Sequence, residues 1–236
     1  MSTPRSLAPL LLIGLLGLAL PALGKDKLPH AWPPKVGKPY PNLELFNHKG
    51  KKVKLSTYRG KVILLEPIGM GCPACQAFAG AHKKGAFGGA SVQKGIKSAK
   101  EILKTYGKVK LKDRRLVFVH LLLYDLSSRK APSVKDAKAW AKHFGLDKQK
   151  NALVLVADSR YINRASWNLV PGFQLIDKNF VLRYDSTGHH PKDDLWKKLL
   201  PQVKPLLKER AKRIKKKTKK AKTKKTSKPK TPAKTS

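Results

Sequence analysis

Val62-Ile63-Leu64-Leu65-Glu66-Pro67-Ile68-Gly69-Met70-Gly71-Cys72-Pro73-Ala74-Cys75 is the stretch on which the fold turns. The unbroken apolar run Val62 to Leu65 reads as a strand buried on both faces. The strand is expected over 62–66. A short loop, 67–71, then delivers Cys72-Pro73-Ala74-Cys75 and a helical segment over 76–82.

That context gives the cysteine spacing its chemistry. The first amides of a helix have no partners within it, and the macrodipole there is positive. A thiolate held at that point is stabilised, so its pKa falls and it becomes a nucleophile near neutral pH. Pro73 suits the first helical position, where its missing N–H costs nothing. Cys75, three residues on, shares a face with Cys72 and lies within disulfide reach. The expected roles follow: Cys72 attacks a substrate disulfide, and Cys75 resolves the mixed disulfide, leaving an oxidised Cys72–Cys75 pair.

Other uses of the pair fare worse. Only two cysteines occur in 236 residues, and a staple between positions three apart closes a tiny loop and gains little. A tetrahedral zinc site needs two further ligands, which no second Cys or closely spaced Cys/His pair supplies. Reactivity is the best reason for the pair to exist.

Outward from this motif, short apolar runs alternate with helical patterns. Residues 43–46 and 53–55 read as a hairpin across the turn-prone Asn47-His48-Lys49-Gly50. Val92, Ile96, Ala99, Leu103 and Tyr106 share a helical face, which predicts a helix over 90–106 capped by Ser91 and stopped by Gly107. Residues 116–124 and 152–157 read as two more strands. Between them, Ser133 and Asp136 open a helix that buries Val134, Ala137, Trp140, Ala141 and Phe144 and ends at Gly145. A second hairpin, 173–176 with 180–184, precedes a last helix from Asp193 to Leu200, interrupted by Pro201 and Pro205. This order predicts an α/β fold, a central mixed sheet with helices on both faces. No Gly-rich phosphate loop follows any strand, which leaves nucleotide chemistry without footing.

The two ends differ from the middle. An uncharged run, 7–24, follows Arg5, closes on Ala22-Leu23-Gly24 and precedes Lys25-Asp26-Lys27. Residues 1–24 read as a secretory signal peptide, with an uncleaved anchor as the alternative. Either places the rest outside the cytosol, in the periplasm or another extracytoplasmic space. Residues 25–38 read as a linker and 39–207 as the domain, with 208–236 as a Lys-rich tail. From Lys204 onward, 16 Lys or Arg stand against one Glu, too polar to bury the surface that order requires. The net charge of +38 is spread over the domain as well. In an exported protein such a tail suits anionic lipid or polysaccharide. Nucleic acid becomes the expected partner only if the chain is not exported.

The combination of residues resembles the thioredoxin superfamily, and more narrowly its exported TlpA-like or redoxin branch of thiol–disulfide oxidoreductases. The resemblance covers roughly 36–207. It rests on Pro41-Asn42-Leu43-Glu44-Leu45, the Gly50-Lys51-Lys52-Val53 turn with Leu55-Ser56, Arg59-Gly60-Lys61-Val62, Cys72-Pro73-Ala74-Cys75, and Val170-Pro171 before Leu175-Ile176-Asp177. It implies a thioredoxin-like three-layer sandwich, no cofactor, and as partners protein thiol or disulfide substrates together with a redox partner protein. It also implies three roles. Pro171 matches the cis-proline that faces the cysteines, Val170 would pair its backbone with bound substrate, and Glu66 matches the buried acid that relays the proton of Cys75.

The chain departs from that pattern beside the motif. The aromatic residue usual before the first cysteine is replaced by Met70-Gly71, and Lys83 to Ala90 reads as an insertion that breaks the first helix. Among the seven histidines, His120 lies in an apolar strand and reads as a hydrogen-bonded core residue, while His189-His190 sit in a loop. No metal site is expected. The alternatives to a redox enzyme are a basic envelope-binding protein or a copper-handling protein on the same fold.

Overall fold

The computed structural model describes residue 28 and residues 30–211. The expected signal peptide, 1–24, and most of the Lys-rich tail fall outside the described residues.

The hairpin forms as expected, β1 (Glu44–Asn47) antiparallel to β2 (Lys52–Lys54). The quoted stretch then becomes β3, Val62–Gly69, three residues longer than its apolar run implied and buried at every position. Pro67 does not end it. Strand β6 (Gln174–Ile176) pairs with β3 only as far as Leu65. Beyond that point β3 is paired on one side, where a strand tolerates proline. On the other side it runs parallel to β4, Leu116–Tyr124, also buried throughout. β5 (Ala152–Val156) extends the parallel set, and β7 (Leu182–Asp185) pairs antiparallel with β6. The seven strands run β2-β1-β5-β4-β3-β6-β7, a mixed sheet.

The connections β3→β4 and β4→β5 move the same way across the sheet. In the right-handed sense such crossovers take, their helices share a face. The first carries α1 (Pro73–Ala79), α2 (Ala81–Lys84) and α3 (Ala99–Thr105), and the second carries α4 (Val134–Phe144). Phe87 joins them by packing on Trp140 of α4 with ring centroids 5.4 Å apart.

The opposite face is covered differently. Leu65 pairs with Gln174, and the Tyr40 hydroxyl donates to Gln174 Oε1 at 2.7 Å. Trp32 stacks edge-on against the buried Tyr161 and donates from Nε1 to Ser166 Oγ of α5 (Arg164–Trp167). Residues 30–38, read as linker, therefore lie docked against the domain. The chain finishes with a π-helical turn at Leu195–Leu199, a 3-10 turn at Leu200–Gln202, and α6, Val203–Lys208. Pro201 and Pro205 stand in the first turns of their segments, where their missing N–H groups break no helical bond.

α4 forms as its sequence dictates. Ser133 and Asp136 make a reciprocal capping box, and Gly145 ends the helix at a left-handed φ of 69°. The helix expected over 90–106 does not. It is confined to Ala99–Thr105, and within the expected span Gly95 holds a positive φ of 79° that keeps the preceding chain irregular. The working cap is Ser98, boxed with Glu101, rather than Ser91. Replacing Ser98 with Ala is expected to lower stability by about 1 kcal/mol, the usual worth of such a cap. Ser91→Ala should leave the urea midpoint unchanged, and unfolding of the two variants side by side checks both.

Candidate active site

β3 carries the site to the edge of the core. Its last residue, Gly69, accepts from the Cys72 amide at 2.9 Å and tightens the turn into α1. Cys72 is the N-cap of that helix with extended backbone, φ −72° and ψ 122°, and Pro73 follows at the first helical position. The Cys72 sulfur accepts from the Cys75 amide at 3.4 Å, so the thiol itself satisfies one of the orphan donors of the helix start.

Both thiols are free, Cys72 partly exposed and Cys75 fully buried beneath it. That difference splits their acidity. The Cys75 side chain donates to the Cys72 sulfur, and the Cys75 and Ala74 amides add to it. Together they outweigh burial and bring Cys72 down to about 7. Cys75 is pushed well above the ordinary thiol range, first by burial and then by Cys72 and Glu66 nearby. At neutral pH the outer sulfur is substantially thiolate and the inner one a thiol.

Glu66 lies on β3 with no exposure. Burial, followed by the charge on Cys72, raises its carboxyl well above the usual carboxylate range. Neither carboxyl oxygen has a hydrogen-bond partner among the described residues. Beside it in register on β4 is His120, and Trp140 Nε1 donates to His120 Nδ1 at 3.0 Å. The strand pairing brings these groups together, and nothing in the spacing of Glu66 and His120 along the chain signals it.

The Val170–Pro171 peptide bond is cis, and both residues line a groove of about 280 Å³ with Cys72. The Val170 amide already donates to the Trp167 carbonyl at 3.1 Å. The Val170 amide is therefore already engaged within the domain. Trp167, 45% exposed, Gln93, Ser128 and His189 complete the groove. No pattern in the sequence joins these four, which come from four separate loops or helix ends. A larger groove of about 510 Å³ lies among Lys100, Lys104, Lys110 and Lys112, away from the sulfurs. Chemistry, not volume, identifies the site. Among the described residues no cluster of three His, Cys, Asp or Glu side chains could hold a metal ion.

The two departures beside the motif have a physical reason. A Cβ at Gly71 would collide with the Leu126 carbonyl oxygen, so the loop after β4 leaves no room for an aromatic there. The 83–90 segment is pinned to the motif by the buried Gln76 side chain. Its Nε2 donates to the Met70 carbonyl at 2.6 Å and to the Phe87 carbonyl at 3.2 Å, and its Oε1 accepts from the Phe87 amide at 2.9 Å. Phe87 is thereby held against the first helix after the motif.

A CxxC at the end of a central strand, opposite a cis-proline loop leading into an antiparallel hairpin, defines a thioredoxin-like fold. No family model matches the chain, and no curated protein does. Solved structures do. The thioredoxin domain of a thiol-disulfide oxidoreductase from Bacteroides vulgatus matches at 20% identity, covering 72% of this chain and 98% of that one, with a TM-score of 0.42. A SCO1/SenC family lipoprotein from Bacillus anthracis matches at 16%, covering 73% and 99%, with a TM-score of 0.46. An uncharacterized conserved protein from Geobacillus kaustophilus matches at 16%, covering 75% and 84%, with a TM-score of 0.49. Identities of this size say nothing of substrate.

The split acidity makes a direct prediction. Alkylation of the reduced protein by iodoacetamide should modify Cys72 alone, with a rate that rises through a midpoint near pH 7. In Cys75→Ala the largest stabilising contact is gone, and the midpoint should move upward. A mass-resolved rate profile against pH measures both.

Proposed function

We propose that the chain is an exported thiol–disulfide oxidoreductase that reduces or exchanges disulfides in protein substrates through Cys72 and Cys75. The observation that carries this reading is the stacked pair itself. A partly exposed sulfur caps a helix at the mouth of a groove, and a buried thiol lies directly behind it.

The steps balance on these residues. The Cys72 thiolate attacks one sulfur of the substrate disulfide, and the other sulfur leaves as a thiolate that takes up a proton. Once Glu66 has released its own proton to solvent, Cys75 gives its proton to the Glu66 carboxylate and attacks the Cys72 sulfur, releasing the second substrate thiolate. The substrate gains two electrons and ends as two thiols, and the enzyme holds a Cys72–Cys75 disulfide. A redox partner protein returns it to the dithiol by the reverse exchange. Substrate backbone would pair with the Val170 carbonyl beside Pro171. No cofactor takes part in this cycle.

Export rests on the apolar leader. Among the described residues no helix is long and apolar enough to cross a membrane. The Lys-rich segment 208–236 would hold the enzyme near anionic lipid or polysaccharide, a contact that weakens as salt is added.

Two substitutions test the chemistry. Cys72→Ser should abolish reduction of a protein disulfide, since it removes the attacking sulfur. Cys75→Ser should instead accumulate a mixed disulfide between Cys72 and substrate, visible as a covalent adduct on a non-reducing gel and lost with dithiothreitol. Turnover by Cys72→Ser at the wild-type rate would exclude the mechanism.

A further inference from the structure

Two buried polar groups, His120 and Glu66, stand face to face in the layer between β3, β4 and the helices. His120 Nε2 and both oxygens of Glu66 have no hydrogen-bond partner among the described residues, and His120 Nε2 lies 3.7 Å from Glu66 Oε2. The side chains are 1% and 0% exposed. Native proteins pair nearly all such groups, so an unpaired couple in one apolar layer asks for a reason.

The proton on the imidazole can be placed. Trp140 Nε1 points at His120 Nδ1 at 3.0 Å, and an indole nitrogen only donates. Nδ1 must then carry the lone pair, which puts the hydrogen of a neutral ring on Nε2, aimed at Glu66. Burial holds the ring neutral, with its pKa lowered to about 3, so the contact is not an ion pair. At 3.7 Å it is also longer than a hydrogen bond. It is an N–H donor opposite a carboxyl that burial, and then the charge on Cys72, pushes toward its neutral form.

The titratable groups facing Glu66 are Cys72 and Cys75 from the start of α1 and His120 from β4. α4 adds only the Trp140 indole, and the nearest β6 residue, Gln174, faces the other side of the sheet. Among the described residues, His120 is thus the donor other than the reacting thiols placed to meet a charge on Glu66.

Building on the oxidoreductase reading, we propose that His120 is a positioning residue whose Nε2–H, oriented by Trp140, holds the Glu66 carboxylate ready to take the Cys75 proton when the mixed disulfide is resolved. The proton passes from the Cys75 sulfur to Glu66, and His120 keeps its own proton throughout. The hydrogen bond forms as Glu66 ionises and loosens as it is reprotonated.

The test uses a chromogenic aryl disulfide, whose two thiolates are released in turn by Cys72 and then Cys75 of the full chain. His120→Phe should slow the second release roughly tenfold at neutral pH, one pK unit in the group that takes the proton, and move its midpoint upward. The first release should not change. In a Glu66→Gln background, adding His120→Phe should have no further effect, and His120→Gln, which restores an N–H donor, should recover most of the rate. An unchanged second-release profile in His120→Phe, or an equal loss with and without Glu66, overturns the proposal. Nitrogen NMR of the wild-type ring gives a reading that needs no variant to fold: a protonated Nε2 is expected, and a protonated Nδ1 overturns it. Wild type that releases only one aryl thiolate, or Cys75→Ser that releases both, sinks the oxidoreductase reading itself. Two releases with an indifferent His120→Phe sink only the role of His120.

Discussion

β3 is hydrogen-bonded along both edges for its first half and buried on both faces for its whole length. A strand so enclosed can neither slide nor turn without carrying a row of side chains from one layer to the other, since side chains alternate with period two. That enclosure fixes Glu66 on the helix-covered side and Leu65 on the other. It also sets where the chain emerges, at Gly69, and so where the first turn of α1 presents Cys72. The Cys72 sulfur is thus aimed by a strand enclosed on both faces.

From that placement comes the asymmetry between two chemically identical residues. One sulfur stands at a helix cap with amides and a thiol donating to it, and the other lies in the core beside a carboxyl. The same low-polarity surroundings that hinder ionisation of Cys75 and Glu66 strengthen whatever hydrogen bonds they do make. A buried base with a poised donor behind it is one way for the inner thiol to lose its proton without water entering the layer.

Much of this was legible in residue order. The run from Val62, the CxxC at a helix start, the capping box at Ser133 and the buried β4 strand all carry local signals that tertiary packing reinforces. The failures are equally local. Val92 and Ile96 match a helical stripe, but Gly95 at positive φ breaks the segment, and the helix begins only after its cap at Ser98. Pro67 looked like the end of β3 because the strand's one-sided pairing past Leu65 cannot be read from the chain. His120 was read as a hydrogen-bonded core residue, and its bond from Trp140 fits that. Its register with Glu66 arises only when β3 and β4 align. The groove residues Gln93, Ser128, Trp167 and His189 come from distant segments with no shared pattern.

Around the sulfurs the surface has its own character. Gly71 leaves room for the Leu126 carbonyl, and Gln76 fastens Phe87 to the end of the motif. Trp167 stands exposed on the rim of the groove. The most direct test of the proposed redox role of Cys72 and Cys75 is equilibration of the full chain against glutathione mixtures, with the thiol state read by mass after acid quenching. One two-electron transition is expected, in which Cys72 and Cys75 together lose two hydrogens and form a disulfide. Two thiols that stay free, or that carry glutathione separately, across the whole range of mixtures would contradict it.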